Sequence, residues 1–429
     1  MDELIAVLKS EIVPATGCTE PAAVALACRV AYEKVGGELL RVVVVADRGV
    51  YKNGLECIIP GSGLKGLEAA AALGIVGGDA SLGLEVLGQA GRAEEERATE
   101  YVRKGIVTVS VDRALVGIHV DARVETDKGS ARCLIEQRHD NVVETELNGM
   151  VERSGQEEQA AQRVQWPEGR VFSDIVSFVR GVPPEDVAFL LDGVQLNVRL
   201  AETGLSQDVG ARVGRTLASL VEKGVLADDV VRLAERLTAA AVDARMGGAQ
   251  LPALSVAGSG SHGIIATLPL VAVARIRGIS RNELAKALAL SCLVTIYVKR
   301  QTGRLSAMCG CAVAGGSGAS AGVAYLLGGN DEAIEQAVEN VAASITGMIC
   351  DGGNLSCASK SATGATVAVT SALLACEGVR MPVQTGVVGD SVEETISNMG
   401  RISNPGMTAT DDVMLDIMQE GTGCVDKGW

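Results

Sequence analysis

Along residues 1–35 apolar positions recur at helical spacing, first in MDELIAVLKSE and then in PAAVALACRVAYEKV, with a break near Pro14. A second helix is expected to open at Pro21, where the missing amide donor costs nothing. From Leu39 the period shortens, so that VVVVAD and LECIIP read as strands closed by turns. GSGLKGLEAAAALGIVGG then reads as a glycine turn leading into a short Ala-rich helix. Residues 99–140 alternate apolar and polar, the pattern of half-buried strands, with DKGS as a hairpin turn. Residues 151–170 are polar and weakly periodic and read as a linker. Helical spacing returns over 172–181, 184–202, 207–224 and 227–246, and from 258 onward helices alternate with Gly-rich turns. The expected fold is α+β. A helical segment, 1–35, carries the turn around Cys18; a mixed α+β domain follows over 36–165; a large Gly/Ala-rich, all-helical domain occupies 166–429.

Composition narrows the functional classes. A chain of 429 residues is long enough for two or three domains. Hydrophobic residues make up 47% of it but aromatic residues only 2%, so the core must be built from Ala, Val, Leu and Ile. The 52 glycines imply close backbone approach. The net charge of −15, with no basic block, argues against nucleic acid as a partner. The first residues carry acids and no basic stretch, which is unlike a secretory signal. Eleven cysteines, an odd number, argue for reduced thiols rather than a disulfide framework, and hence for a cytoplasmic protein. Leu305 to Asn330 is uncharged and long enough to span a bilayer, but it is rich in Gly, Ser and Cys and poor in Leu. A buried helix is expected there, and no membrane partner.

Four stretches carry candidate chemistry. Cys309-Gly-Cys311 is followed, 39 residues after Cys311, by CDGGNLSC, where Cys350 and Cys357 flank a six-residue loop. Thiolates suit zinc or iron–sulfur clusters; the C-x₂₋₄-C knuckles usual for zinc are absent, and small buried cysteines are the bland alternative. In PATGCTEPAAVALA, Cys18 sits just before a helix N-terminus, a location that lowers a thiol's pKa, although Thr16 or Thr19 capping an ordinary turn explains the pattern as well. AGSGSHGIIATLP places Ser259, Ser261 and His262 on a Gly/Ser loop opening a helix, an anion cradle unless His262 is a surface turn residue. IYVKRQTGR gathers three positive charges before Cys309, pointing to a bound anion or to a solvated helix end. His119 and His139 fall in the strand region and are expected to be structural.

Taken together, GCTEPAAVALA, Asn53-Gly54 with IIPGSG, AGSGSHGIIATLP, SAMCGCAVAGGSGASAG and CDGGNLSCASK resemble the L-cysteine desulfidase family, which is related to the iron–sulfur L-serine dehydratases. The resemblance runs over nearly the whole chain, and the ordered set is specific where each motif alone is weak. It implies a [4Fe–4S] cluster on three cysteines, with one iron open to substrate. Cys350 and Cys357 match two ligands. Laid without gaps on the serine dehydratase pattern, Cys309 falls on the third, with Cys311 as the alternative. Cys18 stands where the serine enzymes have a histidine in a Ser-Ser-Ser-His-Thr turn, which favours β-elimination of L-cysteine to sulfide, ammonia and pyruvate, with Cys18 as the base. Some serine dehydratases end in a cysteine that reaches the cluster; here Cys424 is followed by VDKGW, which departs from that pattern. Thr19, Asn53, Ser259, Ser261 and His262 are expected to bind a small amino-acid substrate, and a homodimer is expected. The rival readings are an L-serine dehydratase with the same cluster, a pyridoxal-phosphate lyase using Lys360, a non-catalytic iron–sulfur sensor, and a transporter.

Overall fold

The computed structural model describes residues 3–88, 90–153 and 164–422. Part of the expected linker, 154–163, lies outside the described residues, as does Cys424. The chain divides into two compact units, and the α+β expectation holds.

The sheet unit comprises Gly17–Arg163, Asp351–Asn354 and Ala409–Trp429. Its helices are α2 (Thr19–Val35), α3 (Arg48–Gly54), α4 (Leu67–Gly77), α5 (Arg92–Arg103) and most of α17 (Thr408–Thr422). Its strands are β2 (Leu39–Ala46), β3 (Val107–Val111), β4 (His119–Thr126), β5 (Gly129–Glu136), β6 (Val142–Leu147) and β7 (Met150–Arg153), in the order β3-β2-β4-β5-β6-β7. Among the described strands of this sheet, β2 and β3 alone run parallel. The period-two pattern has its physical counterpart here: Val42, Val44 and Ala46 on β2 and Val120, Ala122 and Val124 on β4 are buried together. The alanine face of α2 packs against β4, β5 and α4, which the small Cβ groups make possible. The DKGS turn is a hairpin, with Thr126 opposite Gly129. LECIIP, by contrast, forms only a single bridge, Ile58 to Lys65. Pro60 has no amide donor, and the chain reverses at once through Gly61, so that Ile59 N donates to Leu64 O at 2.9 Å.

The helical unit comprises Met1–Thr16, Val164–Cys350 and Leu355–Thr408. It contains α1 (Glu3–Glu11), α6 (Phe172–Gly181), α7 (Pro184–Val187), α8 (Phe189–Ser206), α9 (Val213–Glu222), α10 (Val230–Met246), α11 (Gly260–Arg277), α12 (Arg281–Thr302), α13 (Gly316–Leu326), α14 (Asp331–Ile345), α15 (Cys357–Cys376) and α16 (Val392–Arg401). It also carries one strand pair that periodicity did not separate from helix. Ile12–Thr16 (β1) runs antiparallel to Pro252–Val256 (β8), with Pro14 opposite Leu254. Each strand has five residues, too few for a two-residue and a 3.6-residue period to be told apart.

The plain Gly/Ala/Ser run is a packing device. Residues Gly316 to Ala324 on α13 are all buried. The missing side chain of Gly318 faces Thr295 Oγ1 and Ser291 O of α12, and that of Gly322 lies 2.9 Å from Ala287 O. Gly364 on α15 meets the Ala312 backbone at 2.9 Å. Any larger side chain would push these helices apart and open voids between them. Among the described residues, no helix is long and apolar enough to cross a membrane.

Candidate active site

The thiols of the helical unit are gathered by a small piece of β structure. Met308 bridges Ile349, Cys309 N donates to Met348 O at 2.7 Å, and Cys350 N donates to Ala307 O at 2.7 Å. This sets Cys309 and Cys350 each one residue beyond the bridged pair, on adjoining segments of chain. Cys311 opens a π-helical turn, Cys311–Gly315, that runs into α13, and Cys357 is the first residue of α15. The Cys311 thiol donates to Cys309 and draws its pKa down to about 6 against the upward push of burial; backbone N–H groups of Ala312 and Cys311 and the Lys360 charge help. Cys311 is pushed up correspondingly, as the donor of that bond and as a neighbour of Cys357 and Cys350. The four sulfurs thus share one electrostatic neighbourhood. Among the described residues, no three His, Cys, Asp or Glu side chains converge closely enough to hold a single metal ion. The donor set of several thiols with a buried cation suits a multi-iron cluster, whose ligands stand farther apart than those of one ion.

Two buried cations, Arg245 and Lys299, belong with the Gly/Ser loop of the same unit. Ala257 and Gly258 both take positive φ, 50° and 79°, and turn the chain from β8 into α11, whose N-cap is Ser259. Arg245 Nη1 donates to Ser261 Oγ at 2.9 Å. His262 Nδ1 lies 3.1 Å from Val256 O, so Nδ1 carries the hydrogen and Nε2 presents its lone pair. A side chain at Gly310, between Cys309 and Cys311, would lie 2.6 Å from His262 Nε2 and 2.8 Å from Lys299 Nζ. Gly310 therefore leaves room for both groups beside the thiols. Burial pushes His262 well below its ordinary pKa, and Lys299, Arg245 and Arg304 reinforce that push against the Val256 hydrogen bond. Burial likewise draws Lys299 down to about 8, resisted by Cys311, Cys350 and Cys309.

The basic cluster before Cys309 is thereby resolved into three roles. Lys299 is 4% exposed and turned inward. Arg300 sits 5.2 Å over the Trp166 ring, and Arg304 Nη2 pairs with Glu11 Oε1 at 2.7 Å.

In the sheet unit, Gly17, with φ 69° and its α-carbon against Pro60, delivers the chain to Cys18 at the N-cap of α2. The Cys18 side chain makes no capping bond. Thr19 Oγ1 donates to Glu20 Oε2 at 3.3 Å, and Asn53 Nδ2 donates to Glu20 Oε1 at 3.0 Å. Asn53 is held by α3, which Asp47 caps by accepting from Gly49 N at 2.7 Å and Val50 N at 3.3 Å. Cys57 Sγ donates to Asn53 O at 2.9 Å and to Gly353 O at 3.2 Å, and Gly353 N donates to Asn53 O at 3.0 Å. Lys52, 1% exposed, pairs with Asp411 of α17 at 2.5 Å.

The expected residues thus fall into two sets. Ser259, Ser261 and His262 belong with the thiols Cys309, Cys311, Cys350 and Cys357 in the helical unit. Cys18, Thr19 and Asn53 belong together in the sheet unit. Lys360 lies on α15 with Nζ donating to Ser356 Oγ at 3.1 Å. His119 pairs with Glu136 across β4 and β5 at 3.0 Å. Sequence reasoning passed over Arg245, Glu20 and Cys57. Only Glu20 had a signal, an acid in the first turn of a helix.

Residues 83–416 match the serine dehydratase alpha chain family. The chain is also similar to the UPF0597 protein of Clostridium botulinum, 40% identical over 98% of this chain and 100% of that protein. A UPF0597 protein of Clostridioides difficile is 40% identical over 96% of this chain and 98% of its own length. One of Caldanaerobacter subterraneus is 39% identical over 96% and 97%.

Proposed function

Because the chain belongs to the serine dehydratase alpha chain family, we propose that it is an iron–sulfur lyase that eliminates the β-substituent of a small amino acid, with L-cysteine as its substrate. The reaction takes L-cysteine and water to pyruvate, ammonia and hydrogen sulfide. The observation that carries the choice of L-cysteine is the identity of the residue at the N-cap of α2, which is a cysteine. The family description itself favours the second reading, L-serine as substrate.

Cys350, Cys357 and Cys309 would hold the cluster, with Cys311 as the hydrogen-bond donor that supports Cys309. The chemistry such a cluster supplies is Lewis acidity toward the departing sulfur. The rest of the work falls to the chain. The substrate carboxylate suits the α11 N-terminus, where amide donors and the charges of Arg245 and Lys299 favour an anion. His262, neutral and with Nε2 as acceptor, can take a hydrogen bond from the substrate ammonium without competing for the carboxylate. Asn53, anchored on Glu20, presents its amide for a second polar contact. Cys18, at the N-cap of α2, removes the α-proton.

The test is pyruvate release by anaerobically purified protein with L-cysteine and L-serine in parallel, alongside iron and sulfide content. Turnover of L-cysteine well above L-serine supports the reading, and the reverse ratio assigns a serine dehydratase. Full activity without iron, requiring added pyridoxal phosphate, would replace the cluster by Lys360 chemistry.

A further inference from the structure

Cys57 has no part in the chemistry above, yet its sulfur is held by two hydrogen bonds within the sheet unit. It is fully buried, and its S–H is shared between two backbone carbonyls, those of Asn53 and Gly353. Gly353 is the residue that leaves room for it. A side chain there would lie 2.5 Å from Cys57 Sγ and 3.5 Å from Cys18 Sγ, so the two sulfurs are separated by at most the sum of these distances, about 6.0 Å. Cys18 is partly exposed, whereas Cys57 is inaccessible. Both are thiols in this structure. A partly exposed cysteine beside a buried one suits a redox-sensing pair, in which the more accessible thiol meets the oxidant and the buried one resolves it.

We propose that Cys18 and Cys57 form a peroxide-sensitive thiol pair that closes reversibly to a disulfide. The Cys18 sulfur attacks the O–O bond of hydrogen peroxide, giving Cys18 sulfenic acid and one water. The Cys57 sulfur then attacks the sulfenic sulfur, forming the S–S bond and releasing the second water. Two thiols lose two hydrogens, and one peroxide is reduced to two waters. Bringing sulfurs within that reach to a bond length of roughly 2 Å asks for side-chain rotation and small backbone adjustment. Closure also removes the S–H that Cys57 donates to Gly353 O, and so withdraws one anchor from the loop between Cys350 and Cys357. The pair would stop turnover by consuming the proposed base, and would spare Cys18 from irreversible sulfinic acid while peroxide is present. The effect on turnover rests on Cys18 acting as the base; the disulfide itself does not.

The experiment uses the full-length, anaerobically purified protein, treated with a few equivalents of hydrogen peroxide, then denatured in the presence of iodoacetamide so that every remaining thiol is alkylated, digested and mapped by mass spectrometry. The expected result is a linked peptide containing Cys18 and Cys57, two hydrogens lighter than the sum of its parts and released by dithiothreitol. Iron is measured in the same samples, so that activity restored by dithiothreitol alone is separated from activity lost with iron. In Cys57→Ser the serine hydroxyl can still donate to Asn53 O and Gly353 O. That variant should show no linked peptide and should accumulate Cys18 sulfinic acid that dithiothreitol does not reverse. The proposal is overturned if wild-type Cys57 remains fully alkylatable after peroxide, or if Cys18 reaches sulfinic acid at the same rate in wild type and variant. Should the variant melt early, the wild-type map alone decides by the first criterion. A linked peptide with turnover unchanged would keep the thiol pair and remove Cys18 from the role of base.

Discussion

The two units each put functional side chains at the start of a helix, and they give the two helix starts opposite electrostatic surroundings. At α11 in the helical unit, Arg245 bonds Ser261 and, with the buried Lys299, bears on His262, so the helix dipole and the side chains both favour an anion. At α2 in the sheet unit, Cys18 and Thr19 stand beside the Glu20 carboxylate, which Asn53 and Thr19 partly satisfy. There the neighbouring acid repels an anionic ligand. On the proposed function, the same backbone device would serve as an anion receptor in one unit and as a proton-accepting site in the other. The identity of two or three buried side chains decides which, because in a low-dielectric setting each charge counts for several times its worth in water.

The largest test of this contrast removes the thiols of the helical unit. Cys350→Ala or Cys357→Ala should abolish the broad brown absorption of anaerobic protein and all elimination activity. Cys309→Ala should do the same and Cys311→Ala should not. Full iron and sulfide content in both Cys350→Ala and Cys357→Ala would sink the cluster assignment.

Next comes the helix start of the sheet unit. Cys18→Ser should retain iron but lose on the order of 10²–10⁴-fold in turnover with saturating L-cysteine, the usual cost of removing a general base. A serine caps a helix well. Turnover within a few-fold of wild type would therefore reduce Cys18 to a turn residue.

The receptor side should respond differently. Lys299→Met keeps the length of the side chain and removes the charge. It should raise KM for the amino acid by roughly tenfold to a hundredfold, the scale of one charged hydrogen bond, with kcat less affected and iron retained. A fall in kcat at unchanged KM would contradict the anion-receptor role.

Packing gives a smaller effect. Gly318→Ala drives a methyl group into Thr295 and the Ser291 carbonyl. It should destabilise the protein by about 1–3 kcal/mol, seen as a melting temperature lower by several degrees. An unchanged melting temperature would mean that α12 and α13 separate at little cost.

The smallest effect concerns an acid on the outer helices of the helical unit. Burial first, then Glu335 and Glu393, raise Glu339 from 4.5 to about 7. The folded state therefore holds a proton that the unfolded chain releases, and stability falls as pH climbs from about 4.5 through about 7. Glu339→Gln should raise the melting temperature at pH 8 by roughly 1–2 °C and by less at pH 5. An equal gain at both values would assign the effect to packing rather than charge.

Much of the architecture is written in local pattern. The alternation of β2 and β4, the DKGS hairpin and the helical spacing over 172–181 are nearest-neighbour properties, because burial on one face repeats with the period of the backbone. The short pair β1 and β8 escaped, since five residues carry too little period and the partners lie far apart in sequence. So did LECIIP, whose β-forming residues lose to the proline and glycines that follow.

The candidate site divides in the same way. The residue types, four cysteines near glycine turns and a Gly/Ser loop with one histidine, are visible in the sequence and bound the chemistry. Their roles are not. Nothing in IYVKRQTGR says that Lys299 turns inward while Arg300 lies on Trp166 and Arg304 pairs with Glu11. Nothing local marks Arg245 as the partner of Ser261, or Cys57 as a neighbour of Cys18 across Gly353. The sequence by itself determined which side chains are available and on which helix starts they stand. Only the tertiary structure decided which of them share a dry environment, because burial and proximity, which fix charge and reactivity, depend on contacts between residues tens to hundreds of positions apart.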